Sequence, residues 1–289
     1  MMMERLKRSK PSTKSGLPVR CYNQPEMQSQ QQAVQAQFTR TAEAFCRYAT
    51  RDTPEMLAQR VEFAGLMPGD LVLDVACGPG AFTLAAAQRV RFARGADLTA
   101  AMLRQARAFQ QERGVKNAFF DCAEAERLPY ADGTFDFVTC QFAFHHMPRP
   151  QATLREMVRV AKPGGRIYLV DSVGPEDAAA AELHNHIEKL RDPSHTDTLS
   201  SKTFLAMFVS QKLRVLKQLV LDRPRSFNQW MLRAGHQTSD ASYLAVRRAL
   251  EDSMASDRAG FAARAAGDDI RIIHREGLFL LAKTAARLA

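Results

Sequence analysis

No apolar run in this 289-residue chain approaches the ~20 residues that a membrane-spanning helix needs, so integral membrane contact is not expected. Nor is a secretory leader expected, because the basic start from Met1 to Lys10 runs into Pro11 and Ser12 instead of an apolar stretch. Cysteine is scarce and unpatterned: five residues, at 21, 46, 77, 122 and 140, with no CxxC spacing. Neither a disulfide framework nor a metal site is expected, and reduced thiols in a cytoplasmic protein fit best. The middle of the chain also lacks net charge. Of the total of +9, residues 1–26 carry +4 and residues 180–289 carry +5, while 27–179 hold seventeen basic and seventeen acidic residues. A neutral middle argues against a nucleic-acid-binding face. With 46% hydrophobic and 25% charged residues the composition is globular, and the length suits one domain with an elaborated end.

What is present is alternation. After a Gln-rich stretch over 28–37, Phe38, Ala42 and Phe45 mark one helix face at i, i+4 and i+7. Pro54, one residue past the N-cap candidate Thr53, opens a second helix to about Ala64. Pro68-Gly69-Asp70 then turns into Leu71-Val72-Leu73-Asp74-Val75, whose short apolar run predicts a buried strand. Helices follow over 82–90, from Thr99 past Phe109, and over 151–161; strands fall over 92–97, 117–122, 135–140 and 166–171. Repeated βα units of this length predict an α/β, doubly wound Rossmann-like fold with helices on both faces of a mostly parallel sheet. The last third predicts helices over 178–190 and 226–256, and late strands over 212–221 and 270–283 that complete a seven-stranded sheet.

In such sheets ligands bind beyond the carboxyl ends of the strands, next to the first one. That strand ends in Asp74-Val75-Ala76-Cys77-Gly78-Pro79-Gly80, where glycines permit a sharp turn and close approach of backbone to ligand. A dinucleotide fingerprint wants Gly or Ala three residues after the second glycine, and Thr83 stands there. Pro79 also removes one of the N–H groups that a pyrophosphate would use. An acid within the turn-bearing strand suits a ligand carrying an ammonium group.

The chain resembles the class I S-adenosylmethionine-dependent methyltransferases over roughly residues 38–172. The resemblance rests on Val72 to Gly80, on Gly95-Ala96-Asp97-Leu98-Thr99-Ala100-Ala101-Met102-Leu103, on Leu128-Pro129-Tyr130-Ala131-Asp132-Gly133-Thr134-Phe135-Asp136 and on Lys162-Pro163-Gly164-Gly165. It is similar to the broad small-molecule group related to ubiquinone and menaquinone methyltransferases. The resemblance implies S-adenosyl-L-methionine as cofactor, with Asp74 toward the methionine ammonium and Ala76, Gly78 and Gly80 along the ligand. It implies Asp97 on the ribose hydroxyls, Leu98 and Met102 on the adenine, and Gln141 near the methionine end. Glu124, with the neighbouring Ala125 N–H, is the expected adenine-amine partner, and Asp121 is the alternative. Phe38 and Phe45 would serve as a lid or as plain packing. Residues 1–27 are expected to be a disordered basic tail. Residues 28–175 would form the cofactor-binding core, 176–268 a variable acceptor-covering region and 269–284 the closing strand.

Methyl transfer from a sulfonium needs alignment and exclusion of water, with a base only for a protic acceptor. The fourth strand ends in Cys140-Gln141-Phe142-Ala143-Phe144-His145-His146-Met147, which makes His145 and His146 the candidate catalytic residues, at most one of them facing the methyl. The motif of nucleic-acid amino-methylases is missing there, and the quinone methylases tend to carry an Arg-Asn pair where His145-His146 stand. A small-molecule acceptor, aromatic or lipophilic, is expected, with Phe204, Phe208, Phe227, Trp230 and Met231 as pocket or core, and Arg223 and Arg225 as anion-attracting or solvated. The run from Glu188 to His195 is similar to segments in other members, without a role attached. An NAD(P)-dependent oxidoreductase and a non-catalytic methyltransferase-like binding protein remain as alternatives.

Overall fold

A computed structural model of the chain describes residues 29–49 and 54–284, with side chains of the first helix described over 30–42. The expected tail, the cap candidate Thr53 and the Phe45 side chain lie outside the described residues. Helices α1 (Ser29–Ala49) and α2 (Pro54–Ala64) precede β1 (Leu71–Val75), α3 (Ala81–Ala87), β2 (Phe92–Asp97), α4 (Ala100–Glu112) and β3 (Ala118–Cys122). Next come β4 (Phe135–Gln141), a 3-10 turn (Phe144–His146), α5 (Pro150–Val160) and β5 (Ala161–Ser172). The remainder is α6 (Ala178–Arg191), α7 (Ser201–Ser210), β6 (Leu213–Ser226), α8 (Phe227–Arg233), α9 (Ala241–Ser253), β7 (Arg264–Ala266) and β8 (Asp269–Lys283).

The strands run in the order β3-β2-β1-β4-β5-β8-β6. The first five are mutually parallel, and β8 lies antiparallel to both β5 and β6. Chain order reverses between β1 and β4, which opens a crevice at their carboxyl ends. Side chains alternate faces along a strand. Leu73 and Val75 of β1, with Ile167 and Leu169 of β5, therefore enter one apolar core, and Val72, Tyr168 and Val170 enter the other. Burial on both faces is why these strands read as unbroken apolar runs. A third cluster joins Ile187, Phe227, Trp230, Phe261 and Ile272 under the C-terminal helices.

Two details depart from the sequence reading. An eighth strand, β7, pairs with β8 as Ala265↔Ile270; its three exposed residues carry no apolar alternation that could announce it. Helix α7 has no counterpart in the sequence reading, because Thr203 to Val209 is nearly all apolar and such a run does not tell a strand from a buried helix. Ser200 caps it, its hydroxyl accepting from Thr203 N at 3.2 Å. Cys77 and Cys140 are free and buried.

Candidate active site

The turn after β1 is built from left-handed backbone. Ala76, Gly78 and Gly80 have φ of 55°, 53° and 78°, and for Ala76, which carries a Cβ, this costs about 1 kcal/mol. The two glycines serve different ends. A Cβ on Gly80 would lie 2.8 Å from the Phe120 ring and 3.2 Å from Ala106 Cβ, so this glycine lets α3 pack onto the sheet. It does not line the crevice, a correction to its expected place on the ligand. A Cβ on Gly78 would meet nothing within 4 Å, because that residue faces open space.

Two buried carboxylates flank the turn. Asp97, at the end of β2, accepts Gly78 N through Oδ2 and Thr99 N through Oδ1, both at 2.8 Å. Burial raises its pKa against those bonds, and each oxygen keeps a further lone pair. Asp74, on β1, is 2% exposed and accepts the Thr83 hydroxyl at 2.7 Å. Burial pushes its carboxyl up to about 7, with the Thr83 bond opposing and the Asp97 charge adding. Thr83, which counted against a dinucleotide, thus has a positive role.

The crevice is a cavity of about 1380 Å³, counting its open mouth. Asp74, Ala76, Gly78, Asp97, Leu98, Met102, Glu124, Ala125, Gln141 and His146 all line it. His145 does not. Its Nδ1 lies 2.5 Å from Asp171 Oδ1, and the same carboxylate accepts Phe144 N and Ser172 N, each at 2.7 Å. Burial alone would depress His145, yet the charge and hydrogen bond of Asp171 outweigh it and raise the pKa. His145 is therefore engaged by Asp171 behind the wall and is not among the lining residues, which corrects its place among the catalytic candidates. His146 faces the cavity, with its ring edge-on to Phe38 at 5.0 Å between centroids. Burial and the positive charge of His145 push His146 down to about 4.

Comparison with known proteins decides what this architecture is. A family model described as "Methyltransferase domain" matches residues 73–169. The methyltransferase YcgJ of Bacillus subtilis (strain 168) is 35% identical over 198 residues, covering 68% of this chain and 78% of YcgJ. Its crystal structure superposes with a TM-score of 0.72 over 80% of this chain and 98% of that one, at 32% identity. The chain belongs to the class I S-adenosylmethionine-dependent methyltransferases. The ubiquinone/menaquinone biosynthesis C-methyltransferase UbiE of Azotobacter vinelandii is 35% identical over 129 residues, which span 43% of this chain and only 51% of UbiE.

In this methyltransferase the aromatic residues expected as pocket or core are core. Phe204 and Phe208 pack beneath the sheet, Phe227, Trp230 and Met231 lie in the C-terminal cluster, and none lines the cavity. The apolar wall comes instead from Val34 and Phe38 of α1, Leu57 of α2 and Met147. Asp121 is occupied elsewhere, 2.5 Å from Arg94 Nη1 and 2.9 Å from the Tyr130 hydroxyl, whereas Glu124 lines the cavity and accepts from Gln31 of α1. Arg223 is paired with Glu276 at 2.9 Å. Sequence reading missed Arg60 of α2, which lines the cavity, donates to Glu276 Oε1 at 3.1 Å and stacks 4.6 Å above the Phe142 ring. An arginine in an amphipathic helix carries no mark that separates it from a solvated one.

Proposed function

We propose that this methyltransferase binds S-adenosyl-L-methionine in the crevice and methylates a small, largely apolar acceptor that carries a protic group. The observation that carries the reading is the pair Asp74 and Asp97 on either side of a turn whose Gly78 face is open. A buried acid held near pH 7 for want of a counter-charge is suited to the methionine ammonium. Asp97 would accept both ribose hydroxyls, Leu98 and Met102 would pack on the adenine, and Glu124 with Ala125 N–H would meet its amine. Arg60, held by Glu276, would turn its remaining N–H groups to the methionine carboxylate, and Gln141 lines the same cavity. When bound, the cofactor supplies an electrophilic methyl on a positively charged sulfur. The chain's part is then to align the acceptor against that methyl and exclude water, through Val34, Phe38 and Met147, with His146 as the polar group of that wall. The nicotinamide alternative is disfavoured because Pro79 removes an N–H that a pyrophosphate would use and Thr83 stands where a dinucleotide turn wants Gly or Ala.

Calorimetric titration with S-adenosylhomocysteine, beside NAD as control, tests the reading. Micromolar binding of the former, silence from NAD and at least a hundredfold loss in Asp97→Ala are expected, since two hydrogen bonds to a charged acceptor are removed. NAD binding without S-adenosylhomocysteine binding overturns it.

A further inference from the structure

The stretch from Asp192 to Thr196, which begins inside the run from Glu188 to His195 that carries no role in the sequence, packs against the turn after β4. Asp192 Oδ1 accepts both Ser194 N at 2.9 Å and Ser194 Oγ at 2.7 Å. This small ring aims the Ser194 carbonyl at His146, whose Nδ1 is 3.0 Å from it. A carbonyl has no proton to give, so the bond requires the proton on Nδ1 and leaves the lone pair on Nε2. Ser194 Oγ sits 3.2 Å from the same Nδ1. Having given its hydrogen to Asp192, it too presents only a lone pair and favours the same tautomer. Thr196 holds the other side of the turn: its N donates to His145 O at 2.7 Å, and its hydroxyl lies 2.8 Å from that oxygen and 3.2 Å from Met147 O. The Ser194 carbonyl also accepts Gln30 Nε2 at 2.7 Å, so α1, which walls the cavity through Val34 and Phe38, is tied to the oxygen that orients His146.

We propose that Asp192 and Ser194 are positioning residues that hold His146 as the Nδ1–H tautomer, so that Nε2 accepts a hydrogen bond from the protic group of the methyl acceptor and selects acceptors that carry one. The proposal rests on the reading of the cavity as the methyl-transfer site. Around the ring stand His145 of the same turn at 4.3 Å and His195 at 6.1 Å between centroids, with Asp192 on the clamp and Asp171 of β5 behind His145. The net effect of these groups and of burial keeps His146 neutral at ordinary pH, so Nε2 stays an acceptor. An acceptor lacking a donor group would leave that nitrogen buried and unpaired, which penalises it.

Nitrogen-15 NMR of histidine-labelled protein, assigned with a His146→Gln variant, reads the tautomer with no methyl acceptor present. In the wild type His146 should show a protonated Nδ1 and a bare Nε2, unchanged between pH 5.5 and 8. Asp192→Ala should lower the Nδ1–H to Nε2–H ratio by about tenfold, the worth of one hydrogen bond, and Asp192→Asn, which can keep the ring, should restore it. A wild-type His146 protonated on Nε2, or an Asp192→Ala spectrum identical to wild type, overturns the proposal. If Asp192→Ala does not fold, the wild-type spectrum still decides. Failure of S-adenosylhomocysteine to bind would instead remove the cofactor reading, because the tautomer is measured in ligand-free protein as well.

Discussion

Replacing Asp74 by Asn should make the ligand-free protein more stable above pH 7 while it weakens cofactor binding. The Asp74 carboxyl moves from an ordinary 3.8 to about 7 in the fold, and a shift of about three units corresponds to about 4 kcal/mol. The folded pKa lies above the unfolded one. The stability tied to the protonated form is therefore complete below about pH 4 and is lost as pH rises through about 7. Beyond that point wild type carries the whole penalty of a buried ionised carboxylate. Asn has no such titration, and its Oδ1 can still accept the Thr83 hydroxyl. Thermal unfolding of both proteins from pH 4.5 to 8.5 should thus show their midpoints diverging up to about pH 7 and running parallel above it. The variant should end roughly 10 °C higher, an upper figure because water entering the open cavity shields the charge. A counter-charged ligand reverses the balance. At pH 6 the free carboxyl is mostly protonated and must ionise to hold an ammonium, so S-adenosylhomocysteine binding should release close to one proton there and none at pH 8.5. Calorimetry in two buffers of different ionisation enthalpy measures this. Parallel midpoints over the whole pH range, or no proton release at pH 6, would refute the assignment of Asp74 to the ammonium.

The two turn glycines should separate packing from ligand approach. Gly80→Ala forces a Cβ to 2.8 Å from Phe120 in left-handed backbone and should cost about 3 kcal/mol in denaturant unfolding. Gly78→Ala meets no protein atom, so it should cost only about 1 kcal/mol, yet should weaken S-adenosylhomocysteine binding more than tenfold where backbone approaches ligand. His145→Gln removes a group whose folded pKa is raised by Asp171 above the ordinary 6.5. The stability lost in that variant should be greatest below pH 6.5 and should shrink as pH rises through the raised value, as urea unfolding at several pH values would show.

The βα core was legible because its causes are local. Leu71 to Val75 is apolar on both faces, Asp74 and Asp97 close their strands, and the positive-φ turn between them is written in Gly78 and Gly80. Most of the expected cofactor residues accordingly meet at one cavity. Gly80 is the exception, because residue type says that a Cβ is excluded but not whether a ligand or the Phe120 ring excludes it. The opposite wall of the cavity was opaque for a related reason. It draws on α1, α2 and the β4 exit, segments far apart in sequence and joined only by sheet order. Of the two places open to them, pocket or core, Trp230 and Phe227 take the C-terminal core.

His145 and His146 show the same limit at the scale of one peptide bond. They are neighbours of one residue type on one 3-10 turn, and nothing local distinguishes them. What separates them arrives from elsewhere in the chain: β5 brings Asp171 against one ring, while the stretch after α6 brings the Ser194 carbonyl against the other. The Asp171 carboxylate raises the His145 pKa, while burial first and the charge of a protonated His145 second lower that of His146. The ring bound to Asp171 stays out of the cavity and the ring bound to the Ser194 carbonyl lines it. Under the proposed function this arrangement matters, because a cation at the wall would oppose a positively charged sulfur, whereas a neutral imidazole could accept a hydrogen bond without repelling it. His145→Gln should therefore also let the His146 pKa rise toward the ordinary range.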